Sequence, residues 1–510
     1  DELTGSFSAV RLATDGRGWV GADPFGIGLV YTAPAEGFIA VSNNPAVAAC
    51  AAHRTSDPVR SSDSLAWLPF FAMVLDPGTS LVGVEVLGPG ARIEVGGDGW
   101  RRTPERPLWV GLEPAAPDAL DQLAGLLVAQ METIARLPVR RRVLSLSGGK
   151  DSRLVAAAAS AAGVLDRFVV RTHHTPGGSP DETVAGMVGV VLGVDVEKVE
   201  RRAADLDPGQ FEQRLRHHVF QTWGMHGAWD LKGNVPTSPN LGIGGLFGEV
   251  LRSYYAPDRR FDGADDVRRF FALEMGFDRA GMLRPEVSAE LRAGVARWVE
   301  RRLGEGVPPA DLADVHYAEH RLRRWLGAVR HVVAHNPVAD PLQLNTGFRT
   351  ALAMGHDLRR VGAIPFELIR RLCEPLARVP LAGKGWHPAA RAMAPEPDRY
   401  DVPPITGGSG GGHRWQNRRF PVLVPVFAAE LLNGRGNPLL EMLDRERVAE
   451  VLSGRRRLDA HGKTALWATL AAAIWIDGGE LPIRYQRHPS PTPQTTTKSD
   501  PAGSQSANAR

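Results

Sequence analysis

The sequence predicts an α/β protein: a parallel, doubly wound sheet with helical additions, preceded by a mostly β region. Three patterns lead there. Between residues 142 and 199, short apolar runs alternate with helix-length segments, the order that builds βαβ units and a parallel sheet. Before residue 103, short strand-like runs are separated by Gly, Pro and Asp turns. From 265 to 480 the apolar spacing is almost wholly helical.

In chain order, residues 5–12 and 28–32 read as strands. Asp15-Gly16-Arg17-Gly18 and Asp23-Pro24-Phe25-Gly26 supply turn chemistry between them. Residues 81–87, then Gly88-Pro89-Gly90, then 91–95 read as a hairpin. The proline-rich stretch 103–117 reads as a linker. Residues 120–137 carry apolar residues at helical spacing. A short buried strand at 142–146 runs into a glycine turn at 147–151 and an alanine-rich helix at 152–162. Strands at 168–172 and 194–199 flank a helix at 181–192. The glycine run inside 403–413 reads as a flexible surface loop, because no strand precedes it. Residues 488–510, rich in Pro, Ser, Thr, Gln and Asn, read as a disordered tail.

At 510 residues and 43% hydrophobic, 23% charged composition, the chain can bury a large core and is not disordered overall. The expected domains are 1–115, 116–487 and the tail. Two cysteines, Cys50 and Cys373, exclude a disulfide framework, a Cys-rich zinc site and a CxxC redox pair. Apolar runs such as 464–476 are too short to span a bilayer. The chain opens Asp1-Glu2-Leu3, with no basic stretch ahead of an apolar one. A cytoplasmic protein with no membrane contact is expected. A net charge of +3 is too mild to argue for a nucleic-acid partner. Only six of the 60 Lys and Arg residues are lysines, which draws notice to lysines in unusual settings.

The chemistry-bearing motif is Ser147-Gly148-Gly149-Lys150-Asp151-Ser152. A buried strand ends in a turn whose two glycines are expected to take unusual backbone angles and allow close approach. Successive N–H groups and the following helix N-terminus form an anion cradle. Ser147 and Ser152 offer hydroxyls, and Lys150 a cation for phosphate. Asp151 beside a polyphosphate implies Mg²⁺ between them. The spacing is not GxxxxGK[ST], so this is not a Walker loop.

The loop resembles the SGGxDS pyrophosphate loop of ATP-pyrophosphatases. Ahead of it, Leu3-Thr4-Gly5-Ser6-Phe7 and Asp23-Pro24-Phe25-Gly26-Ile27-Gly28-Leu29-Val30-Tyr31 look like the late part of a glutaminase (Ntn) domain. That order resembles the asparagine synthetase, β-lactam synthetase and lasso-peptide cyclase superfamily, over roughly residues 1–390. The resemblance implies an ATP-pyrophosphatase domain at 116–487 and a partial, inactive glutaminase-like domain at 1–115. It implies ATP and Mg²⁺ as cofactors, with Ser147, Gly148, Gly149, Lys150, Asp151, Ser152, Arg171 and Thr172 binding ATP and Asp151 holding the metal. A carboxylate-bearing small molecule or peptide would be adenylated, giving AMP and pyrophosphate, and its acyl group passed to an amine or ammonia. Pro180-Asp181-Glu182 matches an acidic pair of the family; plain helix N-terminal charge explains it equally. Pro337-Val338-Ala339-Asp340 resembles another family element, with Asp340 read as structural.

Two departures bear on mechanism. Family members carry a second acidic signature, roughly S-G-[DE]-G-x-D-E-[LV]-F-G-G-Y. Here 242–255 corresponds, and its aspartate is missing. Glu249 is the surviving carboxylate, followed by Arg252 and Tyr254; Glu249, with Tyr254, is expected to accept the amine proton. Active glutaminase domains begin with cysteine, whereas this chain begins with Asp1, so glutamine hydrolysis is not expected of it. β-Lactam synthetases and lasso cyclases also lack that cysteine and use the substrate's own amine. Lys384, in Gly383-Lys384-Gly385-Trp386, is either a catalytic cation for developing negative charge or a solvated surface lysine. Two other classes stay open: a sulfur-inserting tRNA-modifying enzyme, disfavoured by two isolated cysteines, and a non-catalytic homologue, favoured by the missing aspartate. The pairs His173/His174 and His217/His218 read as a polar strand end and a solvated helix face.

Overall fold

A computed structural model of the chain describes residues 5–75, 77–174, 177–200, 208–227, 240–275, 278, 281–330, 337–407 and 414–478. The expected tail and the glycine run from residue 408 onward lie outside these residues.

The first hundred residues form two antiparallel sheets. One has strands β1 (Ser8–Leu12), β2 (Gly18–Ala22), β6 (Arg92–Gly96) and β7 (Gly99–Arg102), in the order β1-β2-β6-β7. The other has β3 (Tyr31–Ala35), β4 (Phe38–Ser42) and β5 (Glu85–Val86), in the order β4-β3-β5. Two expectations need correcting here. The segments either side of Gly88-Pro89-Gly90 are not a hairpin: β5 pairs with β3, and β6 with β2 and β7. Turn chemistry fixes where a chain bends, not which strand it meets. The bend passes the chain between sheets so that Val30, Leu87, Ala91 and Ile93 share one core cluster. The strand expected at 28–32 begins at Tyr31 as β3. The buried Asp23 carboxylate accepts hydrogen bonds from the Ile27 and Gly28 N–H groups at 3.2 and 2.7 Å, which takes those donors from any ladder.

The parallel sheet forms as expected. Strands β8 (Arg141–Ser145), β9 (Val169–His174), β10 (Val196–Glu200), β11 (Asn240–Ile243) and β12 (Val338–Ala339) lie in the order β10-β9-β8-β11-β12, all parallel. The order reverses between β8 and β11. In open α/β sheets, ligands bind outside the carboxyl ends of the strands at such a switch point. Helix Lys150–Ala161 follows β8, and its Leu154 to Ala159 run is buried. Small alanines let it pack closely against the helices Ala119–Arg136 and Ala363–Leu372. Helix Pro180–Leu192 starts at Ser179, which accepts from the Glu182 N–H, and stops at Gly193 in the left-handed region.

The rest is helical, as expected, apart from β12. It packs on the β region through specific contacts. Trp475 donates to the Ser80 carbonyl at 3.2 Å, and the buried Arg323 to the Leu87 carbonyl at 2.6 Å. Residues 103–117 contain no helix or strand. They are clamped all the same: Arg349 donates to the carbonyls of Leu108, Val110 and Gly111. Among the described residues, no helix is long and apolar enough to cross a membrane.

Candidate functional site

The 147–152 loop sits at the carboxyl end of β8, beside the switch point. Its internal bonds are local. The Ser147 N–H donates to the Ser152 hydroxyl at 3.1 Å, and the two hydroxyls lie 3.0 Å apart. Gly149 precedes the helix Lys150–Ala161 and has no side chain to cap it, while its own N–H donates to the Ser147 hydroxyl at 3.3 Å. The glycines do not act as expected. Neither Gly148 nor Gly149 has positive φ. Gly148 is needed for space: a Cβ there would collide with Ala382 and lie 3.1 Å from the Asp181 Cα. The Gly148 N–H donates to the Asp181 carboxylate at 2.9 Å, so an acidic side chain already sits on the cradle.

A second loop, 244–251 after β11, covers the first. A Cβ at Gly245 would lie 2.5 Å from the Ser152 nitrogen, and one at Gly248 would lie 2.5 Å from the Asp151 Cβ. Between them Phe247 takes a left-handed φ of 73° and is fully buried, its ring 5.6 Å from that of Phe25. The N-terminal β region thus anchors the turn that carries Glu249. Glu249 Oε2 is buried without a partner. Burial, and then the Asp151 charge, push the Glu249 carboxyl up to about 7.

Arg252 closes the arrangement. Its Nη2 and Nε donate to the two oxygens of Asp151 at 2.8 and 3.3 Å. Asp151 was expected to hold Mg²⁺, and here both its oxygens are engaged by a guanidinium. Among the described residues, no three His, Cys, Asp or Glu side chains are grouped as metal ligands. With Asp151 engaged by Arg252 and the Glu249 carboxyl about half protonated at neutrality, the described residues do not make a protein-held metal site.

Lys150 lies half-buried with its ammonium 5.0 Å from the centre of the Trp386 ring. Burial, and then Arg252, push it down to about 8, and the charge of Lys384 adds to this. Lys384 itself is exposed, with 89% of its side chain accessible and Nζ 3.4 Å from Asp258. Its loop is nonetheless tied to the motif: the Ala382 N–H donates to the Gly148 carbonyl at 3.1 Å, and the Gly383 N–H to Ile405 at 3.0 Å.

The structure brings together Ser147, Gly148, Gly149, Lys150, Asp151, Ser152, Glu249 and, through its field, Lys384. It places others at the margin. Arg171 offers the loop its carbonyl, which accepts from the Leu146 N–H at 2.7 Å, while its guanidinium is committed to Glu197 at 3.0 Å. Thr172 is buried. Tyr254 is 45% exposed, its ring 4.9 Å from that of Tyr317. His174 bonds Glu182 at 3.0 Å at the strand end, as expected. His218 does not lie on a solvated face. It meets His226 at 3.1 Å, and burial pushes it down to about 4, because its helix Pro208–Gln221 packs on helix Ala460–Asp477.

No family model matches the chain, and no curated protein matches it.

Sequence reasoning missed three contributors. Arg153, fully buried, donates to the carbonyls of Leu376, Val379 and Pro380. An arginine within an alanine-rich buried helix was the available signal. Tyr317 and Arg321 both lie within the electrostatic reach of Glu249, and nothing in their spacing from it pointed there. A surface concavity of about 430 Å³ lies elsewhere, lined by Arg141, Phe168, Val194 and Asp195 at the opposite ends of the strands.

Proposed function

We propose that the chain binds ATP on the 147–152 loop and is an amide-forming ligase that adenylates a substrate carboxylate. One observation carries this: Lys150, in the first turn of a helix that starts at the switch point of a parallel sheet, lies within the electrostatic reach of two further cations, Arg252 and Lys384. Cations beside a helix N-terminus match a polyphosphate. The substrate carboxylate attacks the α-phosphorus, forming the acyl-adenylate and releasing pyrophosphate. An amine, or ammonia, then attacks the acyl carbon, forming the amide and releasing AMP. Glu249, with its carboxyl near 7, takes the proton that the amine loses, since a base works best with its pKa near the working pH. Lys150 and Lys384 stabilise negative charge on phosphate and oxyanion. No step passes through a protein-held metal.

The test is ATP binding by the full chain, followed by AMP and pyrophosphate release with a panel of carboxylates and amines. Binding that falls roughly tenfold or more in Lys150→Ala, with melting unchanged, is expected for loss of a charge-assisted contact. No ATP binding at millimolar concentration overturns the proposal. A binding-only role is favoured by one feature, the engagement of Asp151 by Arg252; ATP binding without pyrophosphate release from any substrate pair would select it.

A further inference from the structure

We infer that Arg252 is a built-in counter-ion standing in for a protein-held metal, so that protein cations alone receive the phosphates of the nucleotide. This rests on the ATP-binding proposal and goes beyond it by naming how the phosphate charge is met.

The geometry is specific. Arg252 approaches Asp151 side-on, through Nε and Nη2. That leaves the Nη1 edge for a ligand, on a side chain 24% exposed. A guanidinium presents its donors in a rigid fork and never deprotonates in a protein, so it holds a carboxylate on one edge and a phosphate on another. The space in which a second acidic ligand would face Asp151 is filled. Gly248 lies so close that a Cβ would be 2.5 Å from both Cβ and Cγ of Asp151. The neighbouring carboxylate, Glu249, has its Oε2 buried without a partner. Two of the charges nearby act in the same sense, against the opposing charge of Asp151. The fields of Arg252 and Lys384 both fall on Lys150. A divalent cation brought to Asp151 has to displace the guanidinium already paired with it, whereas a triphosphate meets the cations Lys150 and Arg252 as counter-charges.

The experiment is equilibrium binding of a non-hydrolysable ATP analogue to the full chain, once with Mg²⁺ and once in EDTA. The two dissociation constants should agree within about threefold, less than the tenfold that 1.4 kcal/mol represents. Arg252→Met should lose roughly tenfold or more of the EDTA affinity, the scale for a charge-assisted hydrogen bond. Arg252→Lys should restore only part of it. Binding that requires Mg²⁺ overturns the inference and leaves the ATP proposal standing. Equal EDTA affinity for wild type and a folded Arg252→Met does the same. The wild-type comparison stands even if the Met variant does not fold. Absence of binding in both conditions removes the ATP proposal, and this inference with it.

Discussion

Arg153 and Val379 are joined by a 2.6 Å hydrogen bond from a guanidinium with no solvent exposure to a main-chain carbonyl. The same side chain reaches Leu376 and Pro380. One arginine in the first turns of the helix behind the 147–152 loop thereby fixes the segment leading to Lys384. Arg153→Met keeps most of the volume and leaves three carbonyls without their donor. A stability loss on the order of 3 kcal/mol is expected, since a buried unsatisfied group costs about 1–3 kcal/mol. Thermal unfolding measures it; an unchanged midpoint would show that the segment is held by other contacts.

Glu249 should make stability depend on pH. Its folded carboxyl titrates near 7 against an ordinary value of 4.5, so between these pH values the folded state holds the extra proton. A raised folded pKa gives stability that is complete below about 4.5 and lost as pH rises through 7. Glu249→Gln should therefore melt higher than wild type at pH 8, with the advantage gone at pH 4.5. Identical melting at pH 8 would mean that the carboxylate is well solvated.

Asp181 occupies the Gly148 N–H with a negative charge. Asp181→Ala frees that donor and removes repulsion toward a phosphate. ATP should bind several-fold more tightly, the scale of one surface charge interaction. Weaker binding would instead make Asp181 a support for the loop.

Lys384 is too exposed to support the fold. Lys384→Ala should leave the melting temperature within the range of about ±0.5 kcal/mol typical of surface changes. Under the proposed ligase reaction its effect belongs to charge that builds up on phosphate and oxyanion, so turnover should fall about 10²-fold, the scale for one electrostatic stabiliser. Normal turnover would make it an ordinary surface lysine.

The parallel sheet was legible because its strands are short runs set between helix-length segments, with the buried Val143 and Leu144 in β8 as the clearest case. The loop was legible because its residues are consecutive. What could not be read was partnership across distance. Asp151 lies 101 residues from Arg252, and nothing in that spacing pairs them ahead of Asp151 with a cation from solvent. Gly148 looked like a conformational glycine, yet its purpose is set by Ala382. In the β region, Gly88-Pro89-Gly90 marked a bend correctly, while the strands on either side found different partners because burial of Leu87 and Ile93 outweighs local pairing.

The bond from Arg153 to Val379 spans 226 residues of chain. On a ribosome adding ~5–20 residues per second, the carbonyl is made roughly ten to fifty seconds after the guanidinium. Throughout that interval the helix has a charge on its inward face and nothing to receive it. Desolvating it unpaired would be costly, so the helix cannot settle into the interior while synthesis is passing through that 226-residue span. A polypeptide released before residue 376 would contain every residue of the 147–152 loop and lack the acceptors that let the helix behind it be buried.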